Sequence, residues 1–402
     1  MAKPKLALIP AAQGDKFYSV LPSDGVGDFD FTRASTGTRI APTGLIEEVA
    51  SGDSRLNYDL LNGKVVNCPH YLLEPARTNF LPYSEDFSQW TLDGNGVGQS
   101  ITSNYSISPE GVLNATRLQL NKTGGSFSRI RKAVTATYSG TGIFSVYLKT
   151  NDGSTKTISM RWSGSGSIEK TINGDWQRFD VSGTAINTLA SDCEIFVEGN
   201  QNNIVDLSVY GAMQEAGSYP TSYIPTNGTT ITRAAESADD SGDAATFNDS
   251  EGVLMAEISA LANDGTYRQI SINDSSTNNR ITLDFTNTDN QIRSFISFNG
   301  TSQALMVGST IATNQSKAAV SYKSNDFSLW LNGFKVDTDT NGSVPTGLNN
   351  LNFDNGGGAN DFYGKTREVQ YFDSALTDAQ LETLTSWTSL QEMITSQLYT
   401  NY

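Results

Sequence analysis

Apolar residues recur at every second position through much of this chain. Phe144, Val146 and Leu148 alternate with Ser145, Tyr147 and Lys149, and Ile158, Met160 and Trp162 alternate with Ser159 and Arg161. Val205, Leu207 and Val209 repeat the pattern. A period of two marks strands that bury one face. Gly- and Asn-rich breaks separate these runs between about 80 and 225, which predicts an antiparallel sandwich. Strands resume at Val253–Ile258, Arg268–Ile272, Ile281–Phe285, Ile292–Phe298, Ala319–Tyr322, Phe327–Leu331 and Lys365–Phe372, enough for a second sandwich.

Three stretches break the alternation. Residues 1–79 are punctuated by Pro and Gly and carry short apolar pieces at Leu6–Ile9, Leu45–Ile46 and Val65–Val66. They read as an extended anchoring segment whose apolar pieces need a partner to bury them. Residues 226–249 are polar and acidic without periodicity, and they read as a linker. Near the end, Thr377 and Gln380 form a capping box, with Leu376 and Leu381 placed as a staple. Leu381, Leu384, Trp387 and Leu390 then continue one apolar stripe, so a helix is expected over 378–397. The expected organisation is therefore all-β. An N-terminal segment (1–79), a sandwich (80–225), a linker (226–249), a second sandwich (250–385) and a helical tail (386–402) follow in order. The tripeptide Thr-Arg-Ala recurs at 32–34 and 232–234 and suggests a repeated docking element.

Composition narrows the function. Only 17% of residues are charged and the formal net charge is −16, so the basic footprint of a nucleic-acid binder is missing. The cluster Arg129, Arg131 and Lys132 is short and reads as a solvated strand face. No apolar run reaches the roughly 18 residues of a membrane span. The opening Met1–Ile9 run, broken at Pro10, is too short for a secretion signal, which implies synthesis in a host cytoplasm. Cys68 and Cys193 form no CxxC unit and read as two buried free thiols. The single histidine, His70, excludes multi-His metal sites and reads as structural.

Specific segments carry a resemblance. Phe327–Val336, with its Asn332-Gly333 turn, followed by Phe362–Leu381, is similar to the hairpin, closing strand and helix start of laminin-G-like and concanavalin-A-like sandwiches. Phe144–Lys149, Asp175–Phe179 and Gln214–Thr226 resemble a carbohydrate-binding-module-like jelly roll. Phe31–Arg39, Leu72–Asn79 and Tyr83–Phe87 look like the leading region of tailed-bacteriophage virion proteins of the fibre or decoration type. The resemblance implies a virion-surface protein that binds a host-surface glycan or protein. It implies further that the chain contacts other virion proteins through its N-terminal segment. Phage fibres suggest by analogy a homo-oligomer, a trimer among the options. A cellular or secreted carbohydrate-binding adhesin or polysaccharide-handling protein is the alternative, and it would call for a secretion signal or an anchor.

Glycoside hydrolysis needs two carboxylates about 5–10 Å apart. Glu257 and Asp284 each stand alone in their strands, so no enzyme is expected. No cofactor is expected either. Calcium is the one ion that the laminin-G resemblance admits, with Asp337 and Asp339 as donors, and the reading of both as polar turn residues weighs more. Tyr147 and Trp330 are large aromatics on the polar faces of their strands. They are the candidate ligand- or interface-binding residues, with cover by a neighbouring loop or subunit as the competing reading.

Overall fold

The computed structural model describes residues 3–387 apart from 62, 136, 137, 139, 163, 164 and 186–189. It is all-β, with antiparallel sheets and one helix near the C-terminus. The sandwich of residues 80–225 packs two five-stranded sheets. One runs Ser100–Ile107, Leu113–Asn121, Ile204–Ala216, Gly140–Thr150, Gln177–Ala185, and the other Ile168–Ile172, Lys156–Trp162, Ala190–Glu198, Phe127–Thr135, Thr91–Gly94. Phe144, Val146, Leu148, Ile158, Met160, Trp162, Val205, Leu207 and Val209 all face the core between them, as the alternation predicts. Arg129 and Arg131 do lie on the opposite face, but Asp93, Asp192 and Glu194 pair with them, so the basic cluster is neutralised.

The second sandwich holds the main surprise. Its small sheet has five strands, but the facing sheet has eleven, and residues 3–79 supply five of them. The strand Leu6–Gln13 pairs with Gly364–Phe372 in the register Leu6↔Tyr371 and Leu8↔Val369. Lys16–Leu21 and Phe29–Thr32 extend the sheet outward, and Lys64–Leu73 joins the other end of Gly364–Phe372. Leu6, Leu8, Phe17 and Phe29 are fully buried in the same core as Leu254, Ile270 and Tyr371. Each such side chain contributes about 1.5–3 kcal/mol through burial. The apolar pieces thus find their partner within the same chain, and the segment is an integral part of a sandwich rather than a free anchoring arm.

Residues 226–249 are likewise not a structureless linker. Ile231–Arg233 pairs with Arg77–Asn79, and Ser237–Asp239 pairs with Phe29–Thr32. Ser241 bridges Leu351, and Phe247 enters the core of the second sandwich. The strands are only three residues long, so no periodicity could betray them. Since Arg77–Asn79 leads into the first sandwich and Ile231–Arg233 leads out of it, that sandwich is an insertion on a paired stem. Thr78 and Thr232 lock the stem through their hydroxyls at 2.7 Å.

The helix spans Asp378–Thr385, with the Gln380 side chain accepting from the Thr377 amide at 2.9 Å. It stops well short of 397. Thr383, Thr385 and Ser386 turn their hydroxyls back onto carbonyls four residues earlier, which weakens the helical ladder, and Ser386 is extended. The remainder of the expected helix, 388–397, lies outside the described residues. Leu376, Leu381 and Leu384 pack onto Val253, Met255, Ala319 and Trp330, on the outer face of the large sheet.

Candidate functional site

Five buried ionic side chains join the parts of the chain. Arg33 Nη1 and Arg55 Nε each donate to Glu236 Oε1 at 2.8 Å. Arg55 Nη2 donates to Glu74 Oε2 at 2.8 Å and also reaches Glu236. Arg233 Nη1 lies 2.8 Å from Glu74 Oε2. Ser222 adds its amide and hydroxyl to Glu74 at 2.8 and 2.5 Å. Burial alone would raise the Glu74 carboxyl, but Arg233 and Arg55 outweigh it and hold the group well below the usual carboxylate range. Burial opposes the charge on Arg55 in the same way, and Glu236 and Glu74 overcome it. The two Thr-Arg-Ala tripeptides supply Arg33 and Arg233, which enter this network on different carboxylates.

Beside this network lies a cleft of about 170 Å³ between the two sandwiches. The hairpin of Gly37–Ile40 and Ile46–Val49 forms one wall by lying over the outer face of the first sandwich. Thr38 donates to the Tyr223 carbonyl at 2.6 Å, and the Ile40 amide donates to Asn57 Oδ1 at 2.8 Å. Tyr147 and Arg178 form the opposite wall as direct cross-strand partners. Leu261 and Lys365 close the side belonging to the second sandwich. Tyr147 reaches the cleft by plain alternation, in unbroken register with Gln177–Ala185, and the facing strand Ile204–Ala216 accommodates it with a bulge of one extra residue between Tyr210 and Met213. That bulge requires Gly211, at φ +62°, where a Cβ would stand 3.2 Å from the Tyr147 ring.

Tyr147 is half-buried, and the Arg178 guanidinium sits 5.5 Å from its ring centroid. Burial pushes the Tyr147 hydroxyl up, while Arg178 pulls against it. The guanidinium donates to the Thr221 carbonyl at 2.5 Å and to Ser145 Oγ at 2.9 Å. One face of the tyrosine therefore serves as a platform for an arginine. Apolar Ile40, Ile46 and Leu72 alternate with these polar groups along the lining, a mixture suited to a small polar ligand with apolar ring faces. A wider hollow of about 460 Å³ borders Glu85, Asp86, Pro225, Thr226, Asn227 and Ile231, but it offers no aromatic ring and no cation.

The structure separates the two expected site residues. Trp330 does lie on the polar face of its strand, but it is only 4% exposed because the helix covers it. Its Nε1 donates to Ser328 Oγ at 3.2 Å, and no ring face is left for a ligand. Arg39, Asn57, Arg178 and Lys365 escaped sequence reasoning. Arg39, Arg178 and Lys365 lie within the segments Phe31–Arg39, Asp175–Phe179 and Lys365–Phe372, but nothing local singled them out there.

Asp337 accepts from the amides of Val307 and Thr338, and Asp339 from that of Asn341, which suits turn and edge residues. No group of three or more metal-binding side chains occurs among the described residues. His70 is fully buried beside Asn57, and burial together with Lys365 holds it down to about 3, hence neutral. Cys193 is buried as expected, but Cys68 is exposed on the hairpin strand Lys64–Leu73. No helix of the described residues is long and apolar enough to cross a membrane.

Residues 256–382 match the sequence model of the concanavalin A-like lectin/glucanases superfamily, which places the second sandwich among lectin-like folds. No curated protein matches the chain. Solved structures give weaker likenesses. The CBM40 module of the Ruminococcus gnavus IT-sialidase bound to α2,3-sialyllactose is 15% identical, over 35% of this chain and 84% of that one, with a TM-score of 0.31. Domain 4 of an extracellular arabinanase from Geobacillus stearothermophilus, in complex with arabinotriose, is 13% identical over 42% and 82%, with a TM-score of 0.27. Mouse laminin α1 domains LG4-5 are 9% identical over 69% and 89%, with a TM-score of 0.24. At such identities and scores no ligand transfers to this chain.

Proposed function

We propose that this protein is a non-catalytic glycan-binding protein displayed on a bacteriophage virion surface, and that the cleft between its sandwiches holds the sugar. The cleft itself carries the reading. It is concave, joins a half-buried aromatic to several hydrogen-bonding side chains, and lies beside a buried ion network. The lectin-like family match of the second sandwich supports the same class of ligand. Absence of catalysis is supported by the lining, where Glu74 is the one carboxylate. Arginines hold it ionised, so it has no proton to give as a general acid.

The virion assignment rests on the resemblance of Phe31–Arg39 and Leu72–Asn79 to the leading region of phage proteins. Arg33 and Glu74 of those segments are members of the buried network, which gives the motifs a structural purpose. The full chain should bind glycans of a bacterial surface on an array and release no reducing ends from them. Leu261→Trp, which fills the cleft, should abolish binding while the chain stays folded. Turnover of any glycan, or unchanged binding by Leu261→Trp, would overturn the reading. Mass spectrometry of purified virions should find the chain, and its absence there would remove the virion assignment alone.

A further inference from the structure

We infer that the cleft selects an anionic sugar unit, and that Arg178 is the side chain that recognises its charge. The inference rests on the glycan reading of the cleft and adds the ligand's chemical class. Three cations, Arg39, Arg178 and Lys365, line the cleft against a single carboxylate, Glu74. That excess stands out in a chain whose net charge is −16. Nor is Glu74 free to balance it, since Arg55 and Arg233 already engage that group.

The three cations differ in how they are neutralised. Arg39 pairs with Glu47 at 3.0 Å and Lys365 with Asp59 at 2.6 Å, both in partly exposed pairs that a ligand can compete with. Among the described residues, the hydrogen bonds of Arg178 go to uncharged acceptors such as the Thr221 carbonyl, Ser145 Oγ and the Met213 sulfur. Its buried Nε has no hydrogen-bond partner among the described residues. Glu215, behind Thr221, is fully buried, lies 3.6 Å from Arg77 and accepts from the Thr221 amide and hydroxyl; Arg178 acts on its charge through space, with no hydrogen bond between them. A half-buried guanidinium that touches no carboxylate directly keeps unused donor capacity, and an arriving anion can engage it. Tyr147 acts here as a positioning residue, because its ring fixes the guanidinium rather than stacking on the sugar. The volume of about 170 Å³, below the range of roughly 300–1,000 Å³ for drug-sized ligands, fits one terminal sugar rather than a chain.

The test titrates the full-length chain with a glucuronate-terminated oligosaccharide and with its methyl ester, which keeps the shape and removes the charge. A 6-sulfated disaccharide and its unsulfated parent separate sulfate from carboxylate as the source of the charge. At least one acidic probe should bind ten-fold or more tighter than its neutral twin, with affinity falling as salt rises. Arg178→Gln should remove that preference and Arg178→Lys should restore part of it, a rescue that a merely structural role would not give. Tyr147→Ala should weaken the acidic probe but leave the weak affinity for the neutral one. Equal binding of acidic and neutral twins, lost in Leu261→Trp, would refute the charge inference and leave the glycan reading standing. Acidic binding retained in Leu261→Trp would refute both for this cleft.

Discussion

Glu236→Gln should destabilise the protein by about 3–5 kcal/mol, the cost of breaking a buried ion pair from one side. The side chain is fully buried, and its carboxylate accepts from Arg33, from Arg55 twice, and from the Glu74 amide at 2.8 Å. Glutamine has the same shape but only one acceptor oxygen, so its amide nitrogen must face two of those donors. Each buried donor left unpaired costs about 1–3 kcal/mol, and three arginines then share one carboxylate. At about 2–4 °C per kcal/mol, the melting temperature should fall by roughly 6–20 °C. Urea and thermal unfolding measure the loss. Adding Arg33→Met to Glu236→Gln should cost little more, because the partner charge is already gone. Limited proteolysis supplies a second readout, with wild-type chain resisting cleavage in 226–249 and the variant opening there. A loss below about 1 kcal/mol, the level of a surface pair, together with an unchanged digestion pattern would refute the keystone role of Glu236.

Trp330→Ala should cost about 3–5 kcal/mol through the cavity beneath Leu381 and Leu384, with glycan binding unaltered. Weakened binding at wild-type stability would show that the helix does not cover the ring. A third prediction concerns pH. His70 is held down to about 3 by burial and Lys365, whereas an unfolded histidine titrates near 6.5. The unfolded chain therefore binds the extra proton first, and stability should drop as pH falls from about 6.5, by about 1.4 kcal/mol per unit at most. Glu74, also depressed, adds to the loss only once pH passes below the ordinary carboxylate range near 4.3. His70→Gln should flatten the stability curve between pH 6.5 and 5 in urea titrations, and an unchanged slope there would rule out a neutral buried His70.

What the sequence made legible was local. Phe144, Val146 and Leu148 announce their strand because alternation is a property of neighbours. The same alternation places Tyr147 and Trp330 on the opposite faces, correctly in both cases. Their fates diverge for a reason no neighbour encodes. Trp330 is covered by Leu381 and Leu384, some fifty positions on, whereas Tyr147 meets Arg178 through cross-strand register. The need of Leu6 and Leu8 for a partner was likewise visible, but the partner, Gly364–Phe372, lies at the far end of the chain. Glu236 misled most. Within its own segment it belongs to an acidic solvated run, and only the arrival of Arg33 and Arg55 makes it a core residue.

The insertion explains why these errors belong together. A sandwich carried on a single flexible linker would leave the space between modules open and changeable. Here the chain enters and leaves the first sandwich through strands paired at Ile231↔Asn79 and Arg233↔Arg77. Arg55, Glu74 and Glu236 then tie that stem to the hairpin over the cleft, through the Arg55 contact to the Thr38 carbonyl at 2.7 Å. Thr38 in turn holds the Tyr223 carbonyl, so both walls of the cleft hang from the same network. A cleft built this way is largely preformed, and a ligand that enters it loses little affinity to ordering the protein. Under the proposed function, the network would serve ligand binding as well as stability. In Glu236→Gln, measured well below its melting temperature, glycan affinity should fall even though no ligand touches Glu236.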